Sequence, residues 1–189
     1  MNGYLFYIKN ILNIFTNRVF IGWGRKRTGQ FACFLSVKFK GKFKLLEDGF
    51  IRSVGLGVEG AKLLSVVEDD FGIYYDATQP SRLEHILATS EFSAKIICES
   101  RWCIDFIISN HICKYNNAPD ITTAQVQKYE LQNNSNILII AQTHGDASLE
   151  YGLANQFSTL DMINAAINEN PNSNILLKIH PDVLSGKKK

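Results

Sequence analysis

Apolar residues in this chain fall into short clusters separated by polar turns, and the spacing inside each cluster predicts an element. Tyr4 to Phe20 is apolar but interrupted by Lys9, Asn10, Asn13, Asn17 and Arg18, which fits an amphipathic entry helix better than a membrane span. Val19-Phe20-Ile21-Gly22-Trp23-Gly24 predicts a short strand and a glycine turn. Gly22 and Gly24 lack the remaining glycine and the helix pattern of a nucleotide loop, so packing is their reading. Phe39 to Leu46 alternates in strand fashion, and Leu63 to Val67 with Ile73 to Asp76 predicts a strand pair around an Asp69-Asp70-Phe71-Gly72 turn. Ser81 to Leu87 predicts a helix with Ser81 as cap and Glu84 at capping-box spacing. From Ala94 through Ile108, helical spacing puts Ile96, Ile97, Trp102, Phe106 and Ile107 on one stripe that should be buried.

The pattern changes after Ala118-Pro119-Asp120, where a polar connector runs to about Asn136. Beyond it, Ile137-Leu138-Ile139-Ile140 is short, apolar and β-branched, as in a parallel strand covered on both faces. A helix from about Ser158 to Asn168 shares Leu160, Ile163, Ala166 and Ile167 on one face, and Ile175 to Ile179 predicts a second strand. Strand, helix and strand make a βαβ unit with its two strands side by side or close to it. The connector suggests a division into an amphipathic entry segment (1–20), one α/β domain (21–128) and an incomplete second one (129–189).

Composition narrows the class. A chain of 189 residues with 46% hydrophobic content can bury a core, and a formal net charge of +2 gives no footing for a nucleic-acid partner. Gly24-Arg25-Lys26-Arg27 reads as a solvated loop, and Lys187-Lys188-Lys189 as a solvated terminus. Cys33, Cys98, Cys103 and Cys113 match no zinc spacing and read as reduced core thiols of a cytosolic protein. No metal is expected. Asp70-Phe71-Gly72 has the letters of a kinase metal element without the accompanying motifs, and His85 and His111 read as exposed or helix-end histidines.

Candidate chemistry gathers at strand ends, where sites form in open α/β sheets. The first strand of the βαβ unit delivers Gln142, His144 and Asp146, and the second ends in His180-Pro181-Asp182. Upstream, Glu47-Asp48-Gly49-Phe50-Ile51-Arg52-Ser53 brings together two carboxylates, a glycine, an arginine and a serine. Spacing alone also allows plainer uses: a turn at Asp48-Gly49 with Glu47 paired to Arg52, an Asx-turn or helix cap at Asp146, and a backbone hydrogen bond at His180. Glu47 would stay protonated if buried against Phe50, whereas a nearby Arg52 would favour its charged form.

Taken in order, Gly22 to Lys26, Glu47 to Gly57, Gly72 to Thr78, Lys114-Tyr115-Asn116, Gln142 to Ser148 and His180 to Val183 resemble the motifs of bacterial capsule polysaccharide biosynthesis proteins. Within them the chain is similar to the amino-terminal module of the capsular β-Kdo transferases. The resemblance implies a GT-B-like α/β fold of Rossmann-type domains, with CMP-Kdo as donor substrate and no cofactor. It implies a phosphatidylglycerol-type lipid or a growing oligo-Kdo chain as acceptor, and retention of anomeric configuration. It also implies work with capsule assembly and export machinery, in the cytoplasm or peripherally on the inner face of the inner membrane.

By the same resemblance Asp146 is the nucleophile, Glu47 the general acid/base, and His180, Arg52, Gln142 and Lys114 bind substrate. The family carries acidic residues where this chain has Thr143-His144-Gly145, and it continues beyond His180-Pro181-Asp182 through the rest of a donor-side domain. The leading expectation is therefore a glycosyltransferase module that depends on further sequence for its donor site. The alternative is a noncatalytic component of capsule assembly or export.

Overall fold

The computed structural model describes residues 3–131, 135–184 and 186, so the Lys187-Lys188-Lys189 terminus lies outside the described residues. The chain opens with α1 (Gly3–Asn13), β1 (Val19–Trp23), α2 (Arg27–Lys38) and β2 (Lys42–Asp48), and β1 and β2 are parallel. This is a βαβ unit whose helix the sequence pattern did not announce. The inner face of α2 is made of Gly29, Ala32, Leu35 and Ser36, too small and too polar for an apolar stripe. Those small residues let the helix settle on the strand, since a Cβ on Gly22 would collide with the backbone of Thr28 and Gly29 in α2, and one on Gly29 with the Gly24 carbonyl just past β1. Gly22 is thus a packing glycine. Phe20, Ala32 and Leu35 form the buried core, with Ile14, Phe31 and Phe39 packed around them.

β3 (Val66–Asp69) runs antiparallel to β2 and completes a sheet of order β1-β2-β3. The expected strand at Ile73–Asp76 is absent, because this segment is a run of turns. Asp69, nearly fully buried, accepts the Phe71 and Gly72 backbone N–H groups at 2.8 Å each and that of Arg82 at 2.9 Å. The chain therefore curls around one carboxylate instead of extending. Asp70 is an ion-pair partner of Arg82 at 2.5 Å.

β1 lies at the sheet edge, and α1 closes that edge with side chains. Asn10 donates to the Ile21 carbonyl and accepts the Ile21 N–H, both at 2.8 Å, and Asn13 donates to the Val19 carbonyl at 2.5 Å. Phe6, Asn10 and Asn13 face inward, while Leu5, Ile8, Ile11 and Leu12 face out. The helix is amphipathic as expected, but its amides are the buried side. Their hydrogen bonds satisfy edge groups that would otherwise need water or another strand.

α3 (Arg82–Thr89) has the expected capping box between Ser81 and Glu84, and α4 spans Ala94–Ser109. The apolar stripe of α4 is not buried, with Trp102 64% and Phe106 48% exposed. Among the described residues, no helix or strand makes more than slight contact with it. A short helix, α5 (Thr123–Lys128), capped by Thr122 and Gln125, interrupts the polar connector.

A second sheet pairs β4 (Asn136–Ile140) with β5 (Asn174–Lys178) in parallel. Between them come α6 (Ala147–Tyr151) and α7 (Thr159–Glu169), and α8 (Pro181–Leu184) follows. The βαβ unit is as expected, but β4 is covered on one side only. Ile139 is buried, while Leu138 and Ile140 on the opposite face are 55% and 53% exposed. The cysteines are free thiols as expected, yet Cys98, Cys103 and Cys113 are exposed and only Cys33 is partly buried, so they are not core residues. Among the described residues, no helix is long and apolar enough to cross a membrane.

Candidate functional site

The parallel register of β1 and β2 puts Trp23 beside Leu46, and the Gly24 N–H continues the ladder to the Leu46 carbonyl at 2.9 Å. Glu47 follows directly, so the carboxyl ends of both strands meet where the first sheet opens. Its Oε1 accepts the Trp23 indole N–H at 3.0 Å and the Asp48 backbone N–H at 3.1 Å. Burial is the main influence on this carboxyl and raises its pKa, opposed by the Asp48 N–H, the Lys26 charge and the Trp23 indole. Of the two alternatives that the sequence left open for Glu47, burial is the one present, though not against Phe50. Phe50 is 72% exposed, and the walls are Trp23 and the Tyr75 side.

Arg52 is not the partner of Glu47. It bonds to Asp48 at 3.2 Å and donates to the Ser53 hydroxyl at 3.0 Å and to the Ala61 carbonyl at 3.4 Å. Its backbone N–H and that of Ser53 donate to the Lys114 carbonyl at 2.9 and 3.2 Å. The Asn116 amide adds a bond to the Ser53 carbonyl at 3.2 Å. Two motifs far apart in sequence, Glu47 to Ser53 and Lys114-Tyr115-Asn116, are thereby tied together.

At the second sheet, the Ala141 N–H reaches the Lys178 carbonyl at 3.0 Å, so the chain leaves both strands at the same level. Thr143, almost fully buried, accepts the Asp146 N–H at 3.1 Å across a turn in which Gly145 has φ of +72°. A turn that needs positive φ at its third residue favours glycine there. It presents Asp146 as the cap of α6, with its Oδ1 accepting the Ser148 N–H at 3.0 Å. The cap role that spacing allowed is real, and it fixes the carboxylate where the loop opens.

These two strand-end systems share one cavity of about 460 Å3. Glu47, Lys114, Gln142, Asp146 and His180 all line it, whereas Arg52 does not. Lys26, Tyr74 and Tyr75, to which the sequence pattern assigns no site role, also line it. Burial first, then the negative fields of Glu47, Asp48 and Asp146, raise the pKa of Tyr74. One phenol thus feels both candidate carboxylates. The Tyr75 hydroxyl accepts the Arg25 N–H at 2.8 Å, and its pKa is pushed up to about 12, chiefly by burial.

Lys26 was hidden because Gly24 to Arg27 looks like a solvated basic loop until α2 is known to begin there. A strand, a glycine turn and cations leading into a helix would have been the signal. Contact between the two sheets' loops runs through the same turn. Arg25 pairs with buried Asp76 at 2.5 Å and lies 5.6 Å from the centre of the Tyr151 ring. The Ala77 N–H donates to the Tyr151 carbonyl at 2.9 Å. No group of three or more His, Cys, Asp or Glu side chains among the described residues is arranged to hold a metal ion.

Comparison with known proteins follows the same motifs. Residues 19–189 match the capsule polysaccharide biosynthesis protein family. The capsule polysaccharide modification protein LipA of Neisseria meningitidis serogroup A is 43% identical over 169 residues, 89% of this chain and 24% of LipA. The lipopolysaccharide-processing protein LpsZ of Rhizobium meliloti is 31% identical, over 93% of this chain and 39% of LpsZ. Among solved structures, the β-Kdo 2,4 transferase of Thermosulfurimonas dismutans KpsC superposes with a TM-score of 0.82 at 37% identity, over 91% of this chain and 52% of that one. The β-Kdo 2,7 transferase of the same protein gives 0.60 at 27% identity, over 92% and 51%. The likeness agrees with the GT-B-like α/β fold expected from sequence. The chain spans about a quarter of LipA and about half of each solved transferase.

Proposed function

Because the chain belongs to the capsule polysaccharide biosynthesis protein family, we propose that it carries the reacting carboxylates of a retaining Kdo transferase acting from CMP-Kdo. The observation behind this reading is that Glu47 and Asp146, from the ends of different sheets, line a single cavity with Lys114, Gln142 and His180. Two carboxylates on one cavity suit a double displacement. An Asp146 oxygen attacks the anomeric carbon of Kdo, the bond to the phosphate oxygen breaks, and CMP leaves with that electron pair. In the second step Glu47, as its carboxylate, removes the proton of an acceptor hydroxyl. The hydroxyl oxygen then displaces Asp146 from the anomeric carbon, and two inversions leave the configuration retained.

The neighbours fit the charges involved. Lys26, Lys114 and His180 are available to the Kdo carboxylate and the CMP phosphate, and Gln142 to sugar hydroxyls. A buried Glu47 with a raised pKa is a stronger base than an exposed one, which suits proton removal from an alcohol. Arg52 serves this site by holding the Glu47–Ser53 turn against Lys114. A phosphatidylglycerol-type lipid or an oligo-Kdo chain is the acceptor in this reading, and the cytoplasmic face of the inner membrane is its place.

The test is a covalent one. Folded protein is incubated with CMP-Kdo without acceptor and examined by intact mass and peptide mapping. The expected result is one Kdo residue added at Asp146 and none in Asp146→Ala, with transfer falling on the order of 10^3-fold or more in that variant. Undiminished transfer by Asp146→Ala would remove Asp146 as nucleophile.

A further inference from the structure

The two carboxyl oxygens of Glu47 sit in different surroundings. Oε1 accepts the Trp23 indole N–H at 3.0 Å and the Asp48 backbone N–H at 3.1 Å, which occupies both of its lone pairs. Among the described residues, no group donates to Oε2. No buried side-chain oxygen among them lacks a partner, so Oε2 is the oxygen open to the cavity that Glu47 lines. It lies towards Gly24, where a Cβ would stand 2.7 Å from it, and glycine leaves that approach uncovered.

The Asp48 N–H belongs to the chain just past Glu47, whereas the indole comes from another strand. Trp23 ends β1 beside Leu46 of β2, and its backbone N–H donates to the Thr28 hydroxyl at 3.1 Å. Strand pairing and the first turn of α2 therefore place the indole. A proton on Oε1 would confront two N–H groups. On Oε2 it faces the cavity and leaves both hydrogen bonds intact.

We propose that Trp23 is a positioning residue that makes Oε2 the working oxygen of Glu47, the atom that takes the proton of the acceptor hydroxyl. The inference rests on the transferase reading for that step. In the second displacement the acceptor O–H bond breaks towards Oε2 and the acceptor oxygen bonds to the anomeric carbon. The bond to Asp146 breaks, and its electron pair returns to that carboxylate. Trp23 also sets the strength of the base, because an N–H donated to a carboxylate favours the charged form. The titratable and charged groups around Glu47 are Lys26 at the start of α2, Asp48 on β2, and Tyr74 and Tyr75 from the turns after β3. All of them stay in place when the indole N–H alone is removed.

The experiment titrates Glu47 directly, by NMR of protein labelled with 13C at the glutamate carboxyls, its signal being the one missing in Glu47→Gln. Trp23→Phe should move the midpoint up by about one pH unit, a tenfold rise in proton affinity. β-(3-Benzothienyl)alanine in place of Trp23 keeps the ring shape without the N–H and should move it equally. That variant is made in a Trp102→Phe background, since the chain holds two tryptophans. Trp102→Phe alone, on exposed α4, should leave the midpoint where it is. The C=O stretch of protonated Glu47, isolated by infrared difference from Glu47→Gln, should rise in both Trp23 variants, because Oε1 is then the carbonyl that loses a donor. The pH limb of transfer should follow the midpoint.

An unmoved midpoint in both Trp23 variants would overturn the proposal. A shift in Trp23→Phe that the benzothienyl variant lacks would assign the effect to ring packing and overturn it as well. An unchanged C=O stretch would take the proton off Oε2, with the same consequence. Titration and stretch need neither CMP-Kdo nor acceptor, whereas adduct formation at Asp146 needs no proton transfer to Glu47, so the two readings fail separately.

Discussion

Gly24 sits where a side chain would strike both halves of the Glu47 environment, and replacing it with alanine tests that geometry. Its φ is +39°, and a Cβ there would lie under 3.0 Å from the Tyr75 hydroxyl and 2.7 Å from Glu47 Oε2. The backbone contribution of placing a non-glycine residue at positive φ is about 1–2 kcal/mol. Moving the Tyr75 hydroxyl away also breaks its 2.8 Å bond from the Arg25 N–H. Leaving that partly buried donor unpaired costs about 1–3 kcal/mol more. Gly24→Ala should therefore destabilise by about 2–5 kcal/mol.

In Tyr75→Phe the hydroxyl and its bond are already gone, and the nearest ring atom, Cζ, is 3.3 Å from the added Cβ. Gly24→Ala in that background should keep the backbone contribution and the 2.7 Å contact with Glu47 Oε2, which both backgrounds share, and lose only the hydroxyl's part, leaving a coupling of about 1–3 kcal/mol. Urea denaturation of the four proteins measures this, provided their m-values agree. Additivity within about 0.5 kcal/mol would refute the reasoning, because it would mean that the Tyr75 hydroxyl does not occupy the space over Gly24.

Two further outcomes are expected. Glu47 has a folded pKa raised above its ordinary 4.5, so its contribution to stability is fully present below that value and lost as pH rises through the folded pKa. Glu47→Gln should gain stability relative to the unsubstituted protein between pH 4 and pH 8, and a constant difference in denaturation free energy would contradict this. As the base of the second step, Glu47 should give transfer that rises with pH through its own titration, a limb that Glu47→Gln loses along with about 10^2–10^4 in rate. Asn10→Ala removes both 2.8 Å bonds to Ile21 and should cost about 2 kcal/mol with faster exchange of the Ile21 amide. Ile8→Ala, at a 59% exposed position, should stay within about 0.5 kcal/mol. A larger cost for Ile8 than for Asn10 would show that α1 packs the other way round.

The elements most legible in sequence were those specified by local interactions. Ser81 and Glu84 cap α3 as their spacing requires, and the β4 and β5 runs pair in parallel around a helix. Signals failed where a partner outside the segment decides the outcome. Ile73–Asp76 has strand composition, but Asp69 pulls the preceding backbone N–H groups into a turn. α2 hides its contact face in glycine, alanine and serine because β1 must come close. Trp102 and Phe106 have the spacing of a core stripe, and spacing cannot supply the surface that would cover them.

Residue order alone, read against the family motifs, marked Glu47, Lys114, Gln142, Asp146 and His180 as the candidate groups. Only the tertiary structure decided that these five share a cavity, that Lys26 and Tyr74 join them, and that Arg52 lines a neighbouring cavity instead. The physical reason is that a motif constrains a few consecutive residues. The distance between Glu47 and Asp146 is set by two sheets, by the Arg25–Asp76 pair and by the Tyr151 contact that holds their loops together.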